Sequence, residues 1–457
     1  MSAPRRLLVQ PRYLSREEAD ALAKRVLSFA AADETRVTIN SGSRGNSRFA
    51  ANQISTAGDN YDTTVTVRSV FGKRSGQVTT NKTDDATLRS AVDTAQRIAR
   101  LAPEDPEYMP ELGPQQYQET LGWSEATAAL DPAARAAAIR RISEPAATAG
   151  LVSTGYLETG AGSFAVANSK GLFAYSRRTD AALTTTVRTS DGTGSGWAGA
   201  NHADWSKIDP AALGARAIEK ARLSSNAVAV EPGRYTVILE PTAVANLVQL
   251  LGFSLNARNA DEGRSFFTKP GGGNKIGMKV VDERVTVLSD PHDPDAPANT
   301  FTGEGLPVSR TVWIENGVVK NLAYDRFWAQ KQGKPVTPFI GSVRMLGGTA
   351  TMDDMIRSTP RGILVTRFWY IRGVDPRTIL FTGLTRDGTF LIENGRISRA
   401  VKNLRFNESP VFMLNNLEAM GAPVRVNASE SGSGGIAIVV PPIKVRDFTF
   451  TSLSDAV

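Results

Sequence analysis

The sequence predicts an α+β protein: an N-terminal α/β part built from a duplicated strand–helix unit, followed by a C-terminal β-barrel-like domain. Three observations carry this. Short matching words recur in the first half in the same order. A proline-rich connector separates the two copies. After about residue 230 the texture changes to short strands broken by Gly, Pro and Asp turns. The 457 residues exceed one ordinary core, and the expected division is 1–225 and 226–457.

A helix is expected from Ser15 to Phe29, with Ser15 as cap, Glu17 and Glu18 in the first turn, and Leu22, Val26 and Phe29 on one face. Strands follow at Arg36–Ile39, Ser47–Ala50 and Asp62–Arg68; the last alternates strictly, with Thr63, Val65 and Val67 on one side. A second helix runs from Asp84 to Leu101 and is stopped by Pro103. The unit then recurs. Phe49-Ala-Ala-Asn52 is matched by Phe164-Ala-Val-Ala-Asn168, and Thr64–Arg68 by Thr184–Arg188. Arg97–Leu101 is matched by Ile218–Leu223. The copies span about 36–101 and 151–223 and predict two similar units that share a sheet or pack together. The words are short and rich in Ala and Thr, so coincidence is the other reading. The connector 103–122 and an Ala-rich helix, 131–149, capped by Asp131 with Pro132 at its first position, lie between them.

In the second half, Tyr235–Leu239 reads as a buried strand and Thr242–Leu255 as a helix. From Val280 onward strands are expected at 284–288, 309–314, 362–371, 389–393 and 435–440, with Asn316-Gly317 and Asn394-Gly395 as hairpin turns. Many short strands imply a barrel or a closed sandwich.

Composition excludes several classes. There is no cysteine, hence no disulfide, iron–sulfur cluster or cysteine nucleophile. The longest apolar runs are strand-sized, so no transmembrane helix is expected. Arg5 and Arg6 precede only four residues before Pro11, too few for a signal peptide, so the cytoplasm is the expected location. The net charge of +7 is spread singly rather than as a stripe with aromatics, which argues against nucleic acid as a partner.

Several words in the second half appear in a familiar order: Asn259–Phe267, Thr382–Gly388, Ile392–Gly395, Val401–Ser409 and Asn415–Gly421, with Arg48–Ala50 and Asp191–Gly196 upstream. Together they resemble the TldD/PmbA family over roughly residues 15–450. The resemblance implies an N-terminal α/β part, a C-terminal barrel-like part and pairing of subunits around a cavity. In that family TldD is a zinc metallopeptidase with a His-Glu-x-x-x-His helix. TldE (PmbA) lacks the motif but is needed for activity, and the pair acts on unfolded or leader peptides held extended by strand addition.

Zinc peptidase chemistry needs neutral His or carboxylate ligands, an open water position and a nearby Glu. Counting back from Gly263 places the family's ligand positions near Val248, Gln249 and Phe253, on a helix with no His or Glu inside it. That helix is expected to be apolar core. The two histidines, His202 and His292, lie in loops; with Asp290 or Asp293 they would suffice chemically for a metal, but their spacing does not suggest one. The resemblance therefore implies no catalytic residue and no metal here, with zinc in a TldD-like partner. A homo-oligomeric peptide-binding or scaffold protein is the alternative. Asp261, Glu262, Arg264 and Ser265, with Arg386 and Arg405, are candidates for a cavity rim that orients a peptide; ordinary surface is the other reading. The glycine loops 191–196, 269–274 and 431–435 read as a turn, a hinge or lid, and a barrel corner or close-approach site.

Overall fold

A computed structural model describes residues 13–339, 341–428 and 437–454. The loop Ser431–Gly435 and the start of the chain, including Arg5 and Arg6, lie outside the described residues.

The N-terminal part begins with α1 (Arg16–Leu27), where Ser15 and Glu18 form a reciprocal capping box. It continues through β1 (Glu34–Ala50), β2 (Gln53–Phe71), β3 (Arg74–Thr80) and α2 (Asp85–Leu101). After the connector and the short α3 (Glu125–Ala128) come α4 (Pro132–Thr148), β4 (Leu151–Asn168), β5 (Phe173–Thr189), β6 (Ser195–His202) and α5 (Pro210–Leu223). All six strands form one antiparallel sheet in the order β3-β2-β1-β4-β5-β6. The order is symmetrical about the β1–β4 pair, and each half runs helix, three strands, helix. The strands expected at 36–39 and 47–50 are one continuous strand, because β1 is paired along both edges.

Alternation gives this sheet two different faces. Val37, Ile39, Val65 and Val67 pack under α1 and α2, while Phe49, Leu157, Leu183 and Val187 pack under α4 and α5. The opposite face carries no helix. Asn40, Gly42, Arg44, Asp62, Gly162 and Asp180 line a groove of about 610 Å³ there, to which Asn299 also contributes. Gly42 and Gly162 are paired across β1 and β4, and a Cβ on Gly42 would sit 2.8 Å from the Ala161 carbonyl, so the groove floor admits only glycine at that point.

The C-terminal part holds β7 (Gly233–Leu239), α6 (Pro241–Phe253) and α7 (Ala257–Asp261). A nine-stranded sheet runs from the strand 368–375 through 380–385, 404–408, 443–453, β7, 361–365 and 389–393 to 396–400, with 417–420 added beside 443–453. Its two ends do not meet, so it is a curled half-barrel and not a closed barrel. A six-stranded sheet, from 318–319 to 424–426, faces it. Val244, Leu247, Val248 and Leu251 of α6 share one core with Trp313, Val343, Phe406 and Phe448 from the two sheets.

Two expectations are corrected. The segment 362–371 is two strands, broken at Thr366–Arg367, where the Thr366 N–H donates to Gly388 and Arg367 turns to Asp387. Helices interrupt the strand-rich region at Arg326–Gln332, Met352–Arg357 and Pro410–Asn415, capped by Asp325, Thr351 and Ser409.

Candidate functional site

The helix α6 shows what the sequence positions become. Val248 is fully buried, whereas Phe253 is 59% exposed and rests near Phe339, ring centroids 6.4 Å apart. The expectation that this helix is wholly core is therefore wrong at its C-terminal end. Residues five apart lie about 140° apart around a helix, so positions 248 and 253 do not present one surface. Gln249 is half-buried, and its Nε2 donates to the Asn246 carbonyl at 3.4 Å. Asn246, not singled out in the sequence, is the polar group that matters here. Its Nδ2 donates to the Ala428 carbonyl at 2.9 Å and its Oδ1 accepts from Phe368 N–H at 3.1 Å.

A catalytic zinc needs three converging ligands and an open position. The face of α6 offers a buried valine, an amide committed to backbone, a glutamine and an exposed phenylalanine, and these residues do not fit the metal. Among the described residues no group of three or more His, Cys, Asp or Glu could hold a metal ion. His202 Nδ1 accepts from Asp204 N–H at 2.8 Å, and burial together with the nearby Arg425 lowers its pKa, which favours the neutral ring. The His292 ring Nε2 contacts the Glu119 carbonyl at 3.2 Å.

The six rim candidates fall in separate places. Asp261 at the end of α7 accepts from Asn274 Nδ2 and from Trp328 Nε1, both at 2.7 Å. Glu262 pairs with Arg258 and Arg264, and Arg258 makes a bidentate pair with Glu107 of the connector at 2.7 Å. Ser265 Oγ accepts from Phe267 N–H at 3.0 Å. Asp261 and Arg258 thus fasten the 256–268 segment to its surroundings, whereas the bonds of Glu262, Arg264 and Ser265 stay within the segment. Phe266 N–H bonds Pro376 just past one end of the strand 368–375, whereas Arg386 stacks over Trp369 near the other, roughly 20 Å along a strand. Arg405 lies on the strand 404–408, opposite Leu384. The glycines of 269–274 all have positive φ and open space around them, and Asp191 closes its own turn by accepting from Thr193 N–H at 3.0 Å.

Arg386 belongs to a different constellation. The helix-free face of the N-terminal sheet meets Arg367, the start of the strand 368–375 and the turn 386–387 in a cleft of about 330 Å³. Arg48 and Tyr156 are cross-strand neighbours on its floor, as are Thr186 and Trp197. Arg367, only 5% exposed, lies over the Trp197 ring at 4.5 Å, and Arg386 lies over Trp369 at 4.5 Å. Asp387 is buried; its Oδ1 accepts from Ser195 Oγ at 2.6 Å and its Oδ2 is 3.6 Å from Arg367. Through Phe368 this cleft wall is tied to Asn246 on α6. Arg48, Arg188, Arg367 and the aromatic residues of the cleft escaped sequence reasoning, because they meet only when the two parts of the chain pack together.

The fold is shared with a solved protein. Superposed on TldE from Thermococcus kodakarensis the TM-score is 0.82 at 20% identity, covering 95% of this chain and all of that one. Three family models match in order: PmbA/TldA metallopeptidase domain 1 at residues 37–99, the central domain at 117–224 and the C-terminal domain at 232–452. The chain belongs to this family, the TldD/PmbA family. A protein named as a metalloprotease in Methanothermobacter thermautotrophicus is 25% identical over 258 residues, 51% of this chain and 54% of that protein. A metalloprotease TldD homolog of Buchnera aphidicola is 26% identical, over 44% of this chain and 45% of its own length. The chain thus matches about half the length of these relatives. Among the described residues no helix is long and apolar enough to cross a membrane.

Proposed function

We propose that this chain is the non-catalytic subunit of a TldD/TldE-type metallopeptidase that acts on unfolded or leader peptides, with zinc carried by a TldD-like partner. The observation that carries the reading is α6. Near the positions that the resemblance assigns to the active members' metal ligands, this chain has a buried Val248, a Gln249 and an exposed Phe253, and Asn246 is bonded to two backbone groups. A metal ligand must be free to converge on one point, and no imidazole or carboxylate lies on this helix. The likeness of the fold to TldE supports the same reading. The cytoplasm is the compartment that suits such a partnership.

The test is reconstitution. The purified chain is mixed with a zinc-bearing TldD-type chain from the same genome, and the mixture is sized by light scattering and assayed for metal. The expected result is a stable complex whose zinc travels with the partner. A homodimer that ignores the partner would instead favour a peptide-binding scaffold and overturn the proposal.

A further inference from the structure

We propose that the open edge of β2, Gln53–Asp62, takes an extended, unstructured segment of another polypeptide as an added strand, with one apolar side chain of that segment seated in the pocket beside Tyr61.

β1 pairs with β2 along its whole length, but β3 pairs only with the second half of β2 and stops where Thr80 faces Val65. Over Gln53–Asp62, roughly 30 Å of strand, the outer edge of β2 has no strand partner among the described residues. In an antiparallel pair every second residue turns both its N–H and its C=O away from its neighbour, so this edge offers a row of unused donors and acceptors. The symmetry of the sheet gives a comparison. Thr63 faces Ser41, next to Gly42, and Thr179 faces Ala161, next to Gly162, so the two threonines are counterparts. Thr179 N–H donates to the Gly122 carbonyl of the connector at 2.9 Å, whereas Thr63 N–H donates to the carboxylate of the adjoining Asp62 at 2.9 Å. The second half of the sheet thus has chain laid against the position that the first half leaves open. The edge strand 368–375 is blunted by two register shifts and the charge of Arg372; β2 is irregular only at its Ile54 end.

The edge is also held in place. Asp59 on it pairs at 2.7 Å with Arg135 of α4, a buried arginine, and a strand already ordered costs less to extend. Where β3 ends, a cavity of about 610 Å³ opens beside the edge, lined by Leu14, Ala21, Leu22, Tyr61 and Thr83. Its charged residues are engaged with their neighbours: Glu18 in the capping box with Ser15, and Arg25 with the Thr83 carbonyl and Asp85. A strand continuing the line of β3 sends alternate side chains to this face, and the pocket suits an aliphatic one. Main-chain bonds then supply affinity and the pocket supplies preference. The rest of the edge is small or polar, Ser55, Thr56, Ala57, Gly58 and Asn60. It cannot supply the ~1,200–2,000 Å² of a stable subunit interface, so the occupant is a single extended segment and not the face of a second folded copy.

The experiment uses the purified full-length chain and fluorescence anisotropy of a labelled, unstructured peptide of about ten Ser and Thr residues around one Leu. Two further peptides carry N-methyl groups on alternate residues, in one phase or the other; with Leu fixing the register, only one phase meets the edge. That phase should bind at least about tenfold more weakly than the parent peptide, and the other phase about equally to it. Replacing Leu by Ser should also weaken binding, and Tyr61→Ser in the chain should erase the difference between the Leu and Ser peptides. Ala57 shares the alternation of Thr63, so its N–H points outward; Ala57→Pro removes that donor and leaves the pairing with β1 intact. It should weaken binding at least about tenfold with unaltered melting, and Ala57→Thr, which keeps the N–H, should bind like the parent. The methylated peptides decide the matter even if the proline variant melts lower. Equal binding of the two methylated phases, an Ala57→Pro chain that folds and binds like the parent, or light scattering that shows two copies joined through this edge would overturn the proposal. None of this rests on the subunit role proposed above. A chain that ignores a zinc-bearing partner refutes that role alone, and equal binding of the two methylated peptides refutes this edge alone.

Discussion

Asn246 and Phe368 are joined by a buried hydrogen bond, Phe368 N–H donating to Asn246 Oδ1 at 3.1 Å. The same amide donates to Ala428 at 2.9 Å, so one side chain ties α6 to the strand 368–375 of the half-barrel and to the end of the facing sheet. Replacing it by Leu, close in volume, strands a buried N–H and a carbonyl together. Asn246→Leu should lose about 2–4 kcal/mol in denaturant unfolding. Asn246→Asp keeps the acceptor but loses the donor and buries a charge, and should be at least as damaging at neutral pH.

The unequal burial of Val248 and Phe253 makes a sharper statement about a transplanted metal motif. Val248→His should cost about 2–4 kcal/mol, since a polar ring enters a filled core. Phe253→His should cost under about 1 kcal/mol because the site is largely exposed. The triple change Val248→His, Gln249→Glu and Phe253→His should bind no stoichiometric zinc, because the two rings point to different surfaces. Thermal melting of the single variants with elemental analysis of the triple one checks both parts.

Each half of the N-terminal sheet sets a strand glycine against the backbone of a helix. A Cβ on Gly76 would lie 2.3 Å from the Ala95 carbonyl of α2, and one on Gly196 would lie 2.2 Å from the Ala217 carbonyl of α5. The obstruction is helix backbone, which cannot rotate away. Gly76→Ala and Gly196→Ala should each destabilise by about 1–3 kcal/mol, measured by chemical denaturation. A neutral result at either would mean that the helix slides freely on its strand.

Local chemistry was legible in the sequence, and long-range assembly was not. Ser15 and Asp131 cap the helices at which they were read, because a cap needs only the next three residues, and Asp84, read as the first residue of its helix, is the cap of that one. Asn316-Gly317 and Asn394-Gly395 take positive φ at both positions, as hairpin turns demand. The helices at 326–332, 352–357 and 410–415 were missed because one or two turns carry too little periodicity, although Asp325, Thr351 and Ser409 stood there as caps. Of the cleft, only Arg386 stood out. Apart from the adjoining Asp387, its companions come from β1, β4, β5, β6 and the segment 367–369, and no local pattern links them. Asp261, Glu262 and Ser265 stood out for polarity, which the structure spends on Asn274, Trp328, Arg258 and Phe267.

Asp282 gives the pH behaviour a sign. Two hydrogen bonds from Arg284 at 2.8 and 2.9 Å hold its pKa down to about 2, below the ordinary 3.8, and Arg284 also donates to the Glu418 carbonyl at 3.0 Å. The folded value lies below the unfolded one, so this stabilisation is present above about pH 4 and is lost as the pH falls through 2. Because Arg284 is partly exposed, its size is about 1 kcal/mol. Asp282→Asn should melt lower than the parent at neutral pH, and the difference should vanish near pH 2.

The most direct test of the central claim is chelator-sensitive cleavage of an unfolded peptide, measured for this chain alone, for a zinc-bearing TldD-type partner alone, and for the two mixed. The account predicts no cleavage by this chain at any zinc concentration and activity in the mixture above that of the partner by itself. Cleavage by this chain alone, abolished by chelator and accompanied by one bound zinc per chain, would contradict it.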